Sequence, residues 1–273
     1  MRLKHQRLSS EELILIRKLT NEGKSLNYLS NLIGVGKPTI YYQVRKFKPR
    51  IKKDFIVNLN DFQIGELIGA FAGDGNYYHE KENKNYLNRG SHYRVRYFLT
   101  FSKERDYANY IKGLLNNLNL NSHIIERDKS VLIVTVNSKE FINFIKEYLD
   151  WKSDKTFTIK LKKKLSEYSD EFLCGFARGL MDTDGFLNSG NVACACISKE
   201  LINNLADIFT KFNMDITRTA LNRGGNTRTL YFVRVRSRSL IEYSKFIGFS
   251  NSHKAHSLKK ILEKRLGKIK KPS

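Results

Sequence analysis

Two aspartates stand in matching surroundings. Phe62-Gln63-Ile64-Gly65-Glu66-Leu67-Ile68-Gly69-Ala70-Phe71-Ala72-Gly73-Asp74-Gly75 and Phe172-Leu173-Cys174-Gly175-Phe176-Ala177-Arg178-Gly179-Leu180-Met181-Asp182-Thr183-Asp184-Gly185 align with a shift of 110 residues. The shift superposes Phe62 on Phe172, Gly65 on Gly175, Gly69 on Gly179, Asp74 on Asp184 and Gly75 on Gly185. Each segment carries small residues every four positions: Gly65, Gly69 and Gly73, then Gly175, Gly179 and Thr183. Glycine inside a helix costs about 1 kcal/mol relative to alanine, so the stripe needs a reason. A face without side chains lets two helices approach backbone to backbone. The two helices are therefore expected to pack about a pseudo-two-fold axis, with Gly75 and Gly185 as left-handed caps. Asp74 and Asp184 then meet at helix C-termini, where the macrodipole disfavours an anion and each carboxylate disfavours the other. A divalent, oxygen-preferring ion such as Mg²⁺ relieves both penalties. Paired aspartates with bound metal suit phosphodiester hydrolysis, because the metal activates water and stabilises the attacking and leaving oxygens.

The elements that must position these carboxylates also come twice. After each copy a polar loop, longer in the first (His79 to Gly90), leads into alternating strands over Tyr93–Phe101 and Val192–Ile197. Ser102-Lys103-Glu104 and Ser198-Lys199-Glu200 then open amphipathic helices. Two strands and a further helix follow, at 122–136 and 139–149 and again at 214–238 and 239–248. The repeat predicts an α+β fold of two pseudo-symmetric αββαββα halves, 61–165 and 166–273, the second ending in a basic tail. Arg94 and Arg96 flank Val95, and Arg234, Arg236 and Arg238 alternate with Val233 and Val235. Period-2 alternation puts those arginines on one sheet face, which with Tyr93, Tyr97 and Tyr231 suits contact with a nucleic-acid groove.

The first 50 residues read as three short helices. Ser9 and Glu12 form a capping box ahead of Leu13, Ile16 and Leu19, and Gly23 stops that helix. Ser25 caps a second helix, Gly34-Val35-Gly36 is a turn, and Pro38 opens a third. Two helices joined by a short glycine-containing turn form a helix-turn-helix. The third helix exposes Lys37, Thr39, Tyr41, Tyr42, Gln43, Arg45 and Lys46, types suited to phosphates and base edges. Residues 51–60 read as a basic linker after Pro49.

Charge agrees with a polyanionic partner. The 273 residues carry 49 Lys+Arg and 27 Asp+Glu, a formal net charge of +22, with a hydrophobic fraction of 41% that is sufficient for a core. Residues 1–54 hold +9, 55–252 hold +6 and 253–273 hold +7. Such a field attracts nucleic acid before any other common ligand. No apolar run is long enough to span a membrane and no signal-peptide stretch is present, so no membrane association or secretion is expected. Cys174, Cys194 and Cys196 make neither a disulfide framework nor a zinc site, which fits the cytoplasm, nucleoid or an organelle matrix. With no Cys or Ser at its start and no His-Asn at its end, the sequence is not expected to self-splice.

The paired segments resemble the two motifs of the LAGLIDADG homing endonuclease family in its single-chain form. The nine-residue motif falls on Leu67–Gly75 and Ala177–Gly185, and the resemblance covers roughly 55–265. It implies a monomer whose motif helices form the interface between halves, each with a saddle-shaped four-stranded sheet in the DNA major groove. The acidic residue before the final glycine binds the catalytic divalent metal. This carries over to Asp74 and Asp184, with Gly73 and Thr183 as adjoining ligand positions and Mn²⁺ able to replace Mg²⁺. A lysine beside the cleavage centre maps onto Lys155, or Lys152 close by, and onto Lys254; Lys103 and Lys199 take site-lining places. The motif's sixth position is Asp182 in the second copy but Ala72 in the first, and activity is expected to survive that departure. His253 and His256 read as surface residues. The implied activity is cleavage of double-stranded DNA at a long site, across the minor groove, leaving short 3′ overhangs. Two other readings stay open: a non-cleaving helix-turn-helix regulator, and a maturase acting on intron RNA.

Overall fold

The structure, a computed structural model, describes residues 8–48, 54–80, 92–152, 154–188, 190–222 and 228–269. Much of the long polar loop after the first motif copy falls outside these residues. The chain divides into two compact units, residues 1–54 and 55–273.

The smaller unit holds helices α1 (Ser10–Asn21), α2 (Leu26–Ile33) and α3 (Lys37–Phe47). Its core is Ile16, Leu29 and Ile40, surrounded by Leu19, Leu26, Ile33, Val35, Val44 and Phe47. The caps follow from the side chains. Ser9 N–H donates to Glu12 at 2.7 Å while Glu12 N–H donates to Ser9 Oγ at 3.2 Å, and Ser25 Oγ accepts from Tyr28 N–H. Gly34 takes the left-handed conformation (φ 73°) that ends α2. On α3, Lys37, Thr39, Tyr41, Tyr42, Arg45 and Lys46 are exposed, but Gln43 is half-buried. The Arg45 guanidinium lies 5.8 Å from the Tyr41 ring centroid.

In the larger unit, Phe55–Asn60 runs along the first half: Phe55 packs on Phe144 and Ile56 N–H donates to the Leu118 carbonyl. The segment read as linker is therefore in part docked chain. Helix α4 (Asp61–Asp74) leads into β1 (Gly75–Glu80), β2 (His92–Thr100), α5 (Arg105–Asn117), β3 (Ser122–Arg127), β4 (Val131–Asn137) and α6 (Lys139–Tyr148). A short segment follows: β5 (Leu149–Asp150), α7 (Lys155–Thr158) and β6 (Lys160–Leu161). Helix α8 (Asp170–Thr183) then leads into β7 (Gly185–Asn188), β8 (Asn191–Cys196), α9 (Lys199–Lys211), β9 (Ile216–Leu221), β10 (Leu230–Val235), α10 (Leu240–Phe246) and α11 (Ser252–Ile269). Both four-stranded sheets are antiparallel and share one order, β1-β2-β4-β3 and β7-β8-β10-β9. What reads as a basic tail is mostly the helix α11.

Four expectations need correction. Gly75 is extended (φ −76°, ψ 137°), and Gly185 is the first residue of a strand, so neither is a left-handed cap. Their glycine is steric: a Cβ would sit 2.4 Å from the Phe71 carbonyl oxygen at Gly75 and 2.3 Å from that of Met181 at Gly185. The two Ser-Lys-Glu runs are not equivalent either. Ser198 caps α9, whereas α5 begins after Glu104, which occupies the position that Ser198 holds in the second half. Tyr97 lies in the core beside Phe71, on the Val95 side of β2, and Tyr93 and Tyr231 pack against that core. Of the arginines and tyrosines of β2, Arg94 and Arg96 take the other face and the tyrosines do not. Finally, β10 ends at Val235, so of these three arginines Arg234 alone is on the strand, while Arg236 and Arg238 lie past its end and pair with Asp215 at 3.6 and 2.5 Å.

Candidate active site

Helices α4 and α8 start together. Asn60 caps α4, accepting from Gln63 N–H at 2.9 Å, and Ser169 caps α8 while donating its hydroxyl to Asp61. Along their length the glycines remove every obstacle between the two backbones. A Cβ on Gly65 would lie 2.2 Å from the Phe172 carbonyl oxygen, on Gly69 2.1 Å from that of Phe176, on Gly175 2.0 Å from that of Phe62 and on Gly179 2.0 Å from that of Glu66. Such contact requires hydrogen in place of Cβ at all four positions. At the far end, a Cβ on Gly73 would meet Thr183 Oγ1 at 2.1 Å and Asp184 Oδ2 at 3.1 Å. The Asp184 carboxylate therefore lies against the residue before Asp74.

The pair is electrostatically costly. Burial raises both carboxyls, Asp74 to about 7 and Asp184 to about 6. Asp184 and Glu104 add repulsion at Asp74, while Lys155 and Lys254 oppose the rise at both.

Two lysines close the helix ends. Lys155 Nζ donates to the carbonyls of Ala72, Gly73 and Gly75 at 3.0, 3.2 and 2.7 Å. Lys254 Nζ donates to those of Met181, Asp182 and Thr183 at 3.1, 2.7 and 3.0 Å. A cation at a helix C-terminus offsets the macrodipole that disfavours the neighbouring aspartate. Burial lowers Lys155 to about 8, with Asp184 and Asp74 resisting. Burial also lowers Lys254, against Glu104 and the aspartates. Lys152 is exposed, and its N–H donates to Thr158 Oγ1. Lys103 and Lys199 are exposed. Lys103 lines a cavity of about 520 Å³ with Glu104, Asn251, His253, Lys254 and Lys260. A second cavity of about 600 Å³ borders Asp74, Trp151, Asp154 and Lys155.

The donor set fits a hard divalent cation. It comprises two carboxylates whose repulsion such a cation would cancel, with the Gly73 and Thr183 carbonyls beside them, each also accepting from a lysine. Among the described residues no cluster of three or more His, Cys, Asp or Glu side chains is arranged around a metal position. The remaining ligands must then be water or phosphate oxygens, the usual situation for Mg²⁺.

Three residues escaped the sequence reading. Glu66 is fully buried in α4 and accepts from the Tyr110 hydroxyl at 2.6 Å. Burial is the main reason its carboxyl is raised. Its one visible signal is a charge inside an apolar helix. Asn251 is buried in front of α11, where an asparagine before a basic amphipathic run could have been read as a cap. Glu104 shows in the sequence only as part of a helix opening. Asp182, conversely, is no part of the acid pair. It is buried, accepts from Ser250 and Asn251 N–H at 3.0 Å each, and is raised to about 7 by burial against those bonds.

Residues 171–248 match a family model described as a LAGLIDADG-like domain. Among relatives in Methanocaldococcus jannaschii, a probable translation initiation factor IF-2 is 28% identical over 169 residues, 60% of this chain and 14% of that protein. A replication factor C small subunit is 26% identical over 211 residues, 76% of this chain and 10% of that protein. The chain thus spans only a small part of either relative. An uncharacterized protein of the same organism is 22% identical, covering 85% of this chain and 83% of its own length. Among solved structures, the homing endonuclease I-DmoI in complex with DNA and Ca aligns with a TM-score of 0.56 at 16% identity, over 73% of this chain and 98% of that one. A study of mesophilic I-DmoI variants aligns at 0.53 and 17%, over 68% and 95%. The chain has a LAGLIDADG-like fold, similar to that of I-DmoI.

Proposed function

We propose that the chain is a site-specific, divalent-metal-dependent endonuclease of double-stranded DNA, acting as a monomer whose two motif helices are the centre of one site. The observation that carries this reading is the meeting of Asp74 and Asp184 at the ends of two helices in backbone contact, with both carboxyls raised. Two half-buried acids without a cation between them cost stability, and a phosphodiester-cleaving centre gives them a reason.

Asp74 and Asp184 would hold Mg²⁺ or Mn²⁺, with the Gly73 and Thr183 carbonyls adjoining. The metal would activate water and stabilise charge on the phosphate oxygens. Lys155 and Lys254 hold the helix-end carbonyls in place and set positive charge beside the pair. Arg94, Arg96 and Arg234 project from the non-core faces of the two sheets and would contact DNA, together with Lys103, which lines the cavity beside Lys254, and Lys199 at the start of α9. The small unit reads as a helix-turn-helix that extends recognition through Lys37, Thr39, Tyr42 and Arg45. Cleavage across the minor groove leaves short 3′ overhangs.

The test is cleavage mapping. The protein is incubated with genomic or library DNA in Mg²⁺ or in Ca²⁺, and all new ends are sequenced. Recurrent staggered ends at one long site, with Mg²⁺ only, support the reading. Specific retention of one sequence without new ends refutes it in favour of a regulator. Absence of both, with tight binding to folded intron RNA at matched salt, refutes it in favour of a maturase.

A further inference from the structure

The two lysines at the acid pair are held differently from the residues they touch. Lys254 sits in the first turn of α11, and Asn251 stands immediately before that helix. Asn251 is 1% exposed, and its polar groups are engaged in several directions. Its Nδ2 donates to Glu104 Oε1 at 2.8 Å and to the Asp182 carbonyl at 3.5 Å. Its N–H donates to Asp182 Oδ1 at 3.0 Å, and its Oδ1 accepts from Lys254 N–H at 3.4 Å. Glu104 belongs to the first half, where its other oxygen accepts from Thr100 N–H at 2.6 Å. One residue further on, Ser252 donates its hydroxyl to Asp106 of the same helix end at 3.3 Å. The start of α11 is thus fastened to the start of α5.

The reverse contact exists for Lys155. Ser198, which holds in the second half the place of Glu104, donates its hydroxyl to the Ile159 carbonyl at 2.7 Å, directly behind α7. Asn204 of α9 accepts from Leu161 N–H at 2.9 Å.

We propose that Asn251, held by Glu104 of the first half, is a positioning residue for Lys254, and that Ser198 of the second half positions Lys155 through Ile159. Each lysine thus has an anchor in the half to which it does not belong, beside those within its own half. The two are therefore separable: breaking the Glu104–Asn251 contact loosens Lys254 and leaves Lys155 in place. The consequence for cleavage rests on the endonuclease reading, since each lysine then serves one strand; the positioning itself does not.

The experiment uses the full chain with Asn251→Ala, and Glu104→Ala as a second variant whose side chain is more exposed and less hazardous to folding. Lysine accessibility is read by acetic anhydride labelling with mass spectrometry, residue by residue. Loss of a hydrogen bond to a charged group is expected to raise the Lys254 labelling rate about tenfold or more, with Lys155 unchanged in the same sample. Ser198→Ala should give the opposite pattern. Equal changes at both lysines, a general rise across the larger unit, or no change would overturn the proposal. Strand-resolved nicking in Mg²⁺ adds the functional readout: Asn251→Ala should slow one strand about tenfold and spare the other. Wild-type protein that cuts no DNA would sink the endonuclease reading, while the labelling would still decide whether Asn251 positions Lys254.

Discussion

A methyl group at Gly69 tests the contact on which the site depends. In Gly69→Ala the added Cβ would lie 2.1 Å from the Phe176 carbonyl oxygen and 2.9 Å from Leu180 N, where ordinary contact begins at 3.4 Å. Both neighbours are main-chain atoms of α8, so no side chain can rotate away, and the helices must separate by about 1 Å. Two effects oppose each other. Alanine is the better helix former by about 1 kcal/mol. Overpacking costs about 1–3 kcal/mol, and a clash between backbones belongs at or above the top of that range. The net expectation is destabilisation by about 2 kcal/mol. For a unit of this size that lowers Tm by about 4–8 °C. Gly113→Ala supplies the control. Gly113 is exposed in α5, and a Cβ there meets nothing within 4 Å. It should show the propensity gain alone, a rise of about 2–4 °C. Both variants and wild type would be melted in metal-free buffer and followed by circular dichroism. Gly69→Ala as stable as wild type, or raised like Gly113→Ala, would refute backbone contact between α4 and α8.

Other expectations concern the acids and the small unit. Asp74→Asn and Asp184→Asn should each abolish double-strand cleavage while keeping DNA affinity, measured by gel shift in Ca²⁺; cutting that persists in both removes these carboxylates from the mechanism. Folding raises Asp74 from 3.8 to about 7, so ionising it costs stability that is lost as pH rises through that interval. Asp74→Asn should flatten that fall in a metal-free pH series of melts and should remove the stabilisation that added Mg²⁺ gives wild type. Glu66 is likewise raised above 4.5 by burial, so Glu66→Gln should be the more stable protein at neutral pH and lose its advantage in acid. An advantage independent of pH would show that packing, not charge, governs that position. Deleting residues 1–54 removes a separate compact unit and should weaken affinity for a long natural site more than it slows cleavage. An unchanged dissociation constant would deny the small unit a recognition role.

Periodic features were legible in the sequence and registration was not. The glycine stripe repeats every four residues, and a repeat of that kind has one physical use, so the helix contact could be read from Gly65, Gly69, Gly175 and Gly179. The capping box at Ser9 and Glu12 is local and equally readable. Gly75 shows the boundary of such reasoning. Its glycine announces a missing Cβ, yet only the course of the chain shows that Phe71, not a positive φ, demands it. Arg236 and Arg238 keep the alternation of a strand after the chain has turned, because Asp215 draws them to the strand's end. The offset between Ser102 and Ser198 arises in the turn before α5. It hid the fact that Glu104, not Ser102, takes the capping position.

The unmatched acids explain themselves once the helices are docked. At the 110-residue shift Glu66 faces Phe176 in the alignment, and Ala72 faces Asp182. Asp182 accepts both N–H groups at residues 250–251, which fixes the approach to α11 and hence Lys254. The segment bearing Lys155 needs no such acid from Ala72, because Asp154 caps α7 from within its own loop, accepting from Thr156 N–H at 3.2 Å. A carboxylate at position 72 would instead be buried beside the carbonyl that Lys155 already binds, with a desolvation cost. The motif's sixth position therefore acts here as a fastening for a lysine, and its loss in the first copy leaves the pair of Asp74 and Asp184 intact.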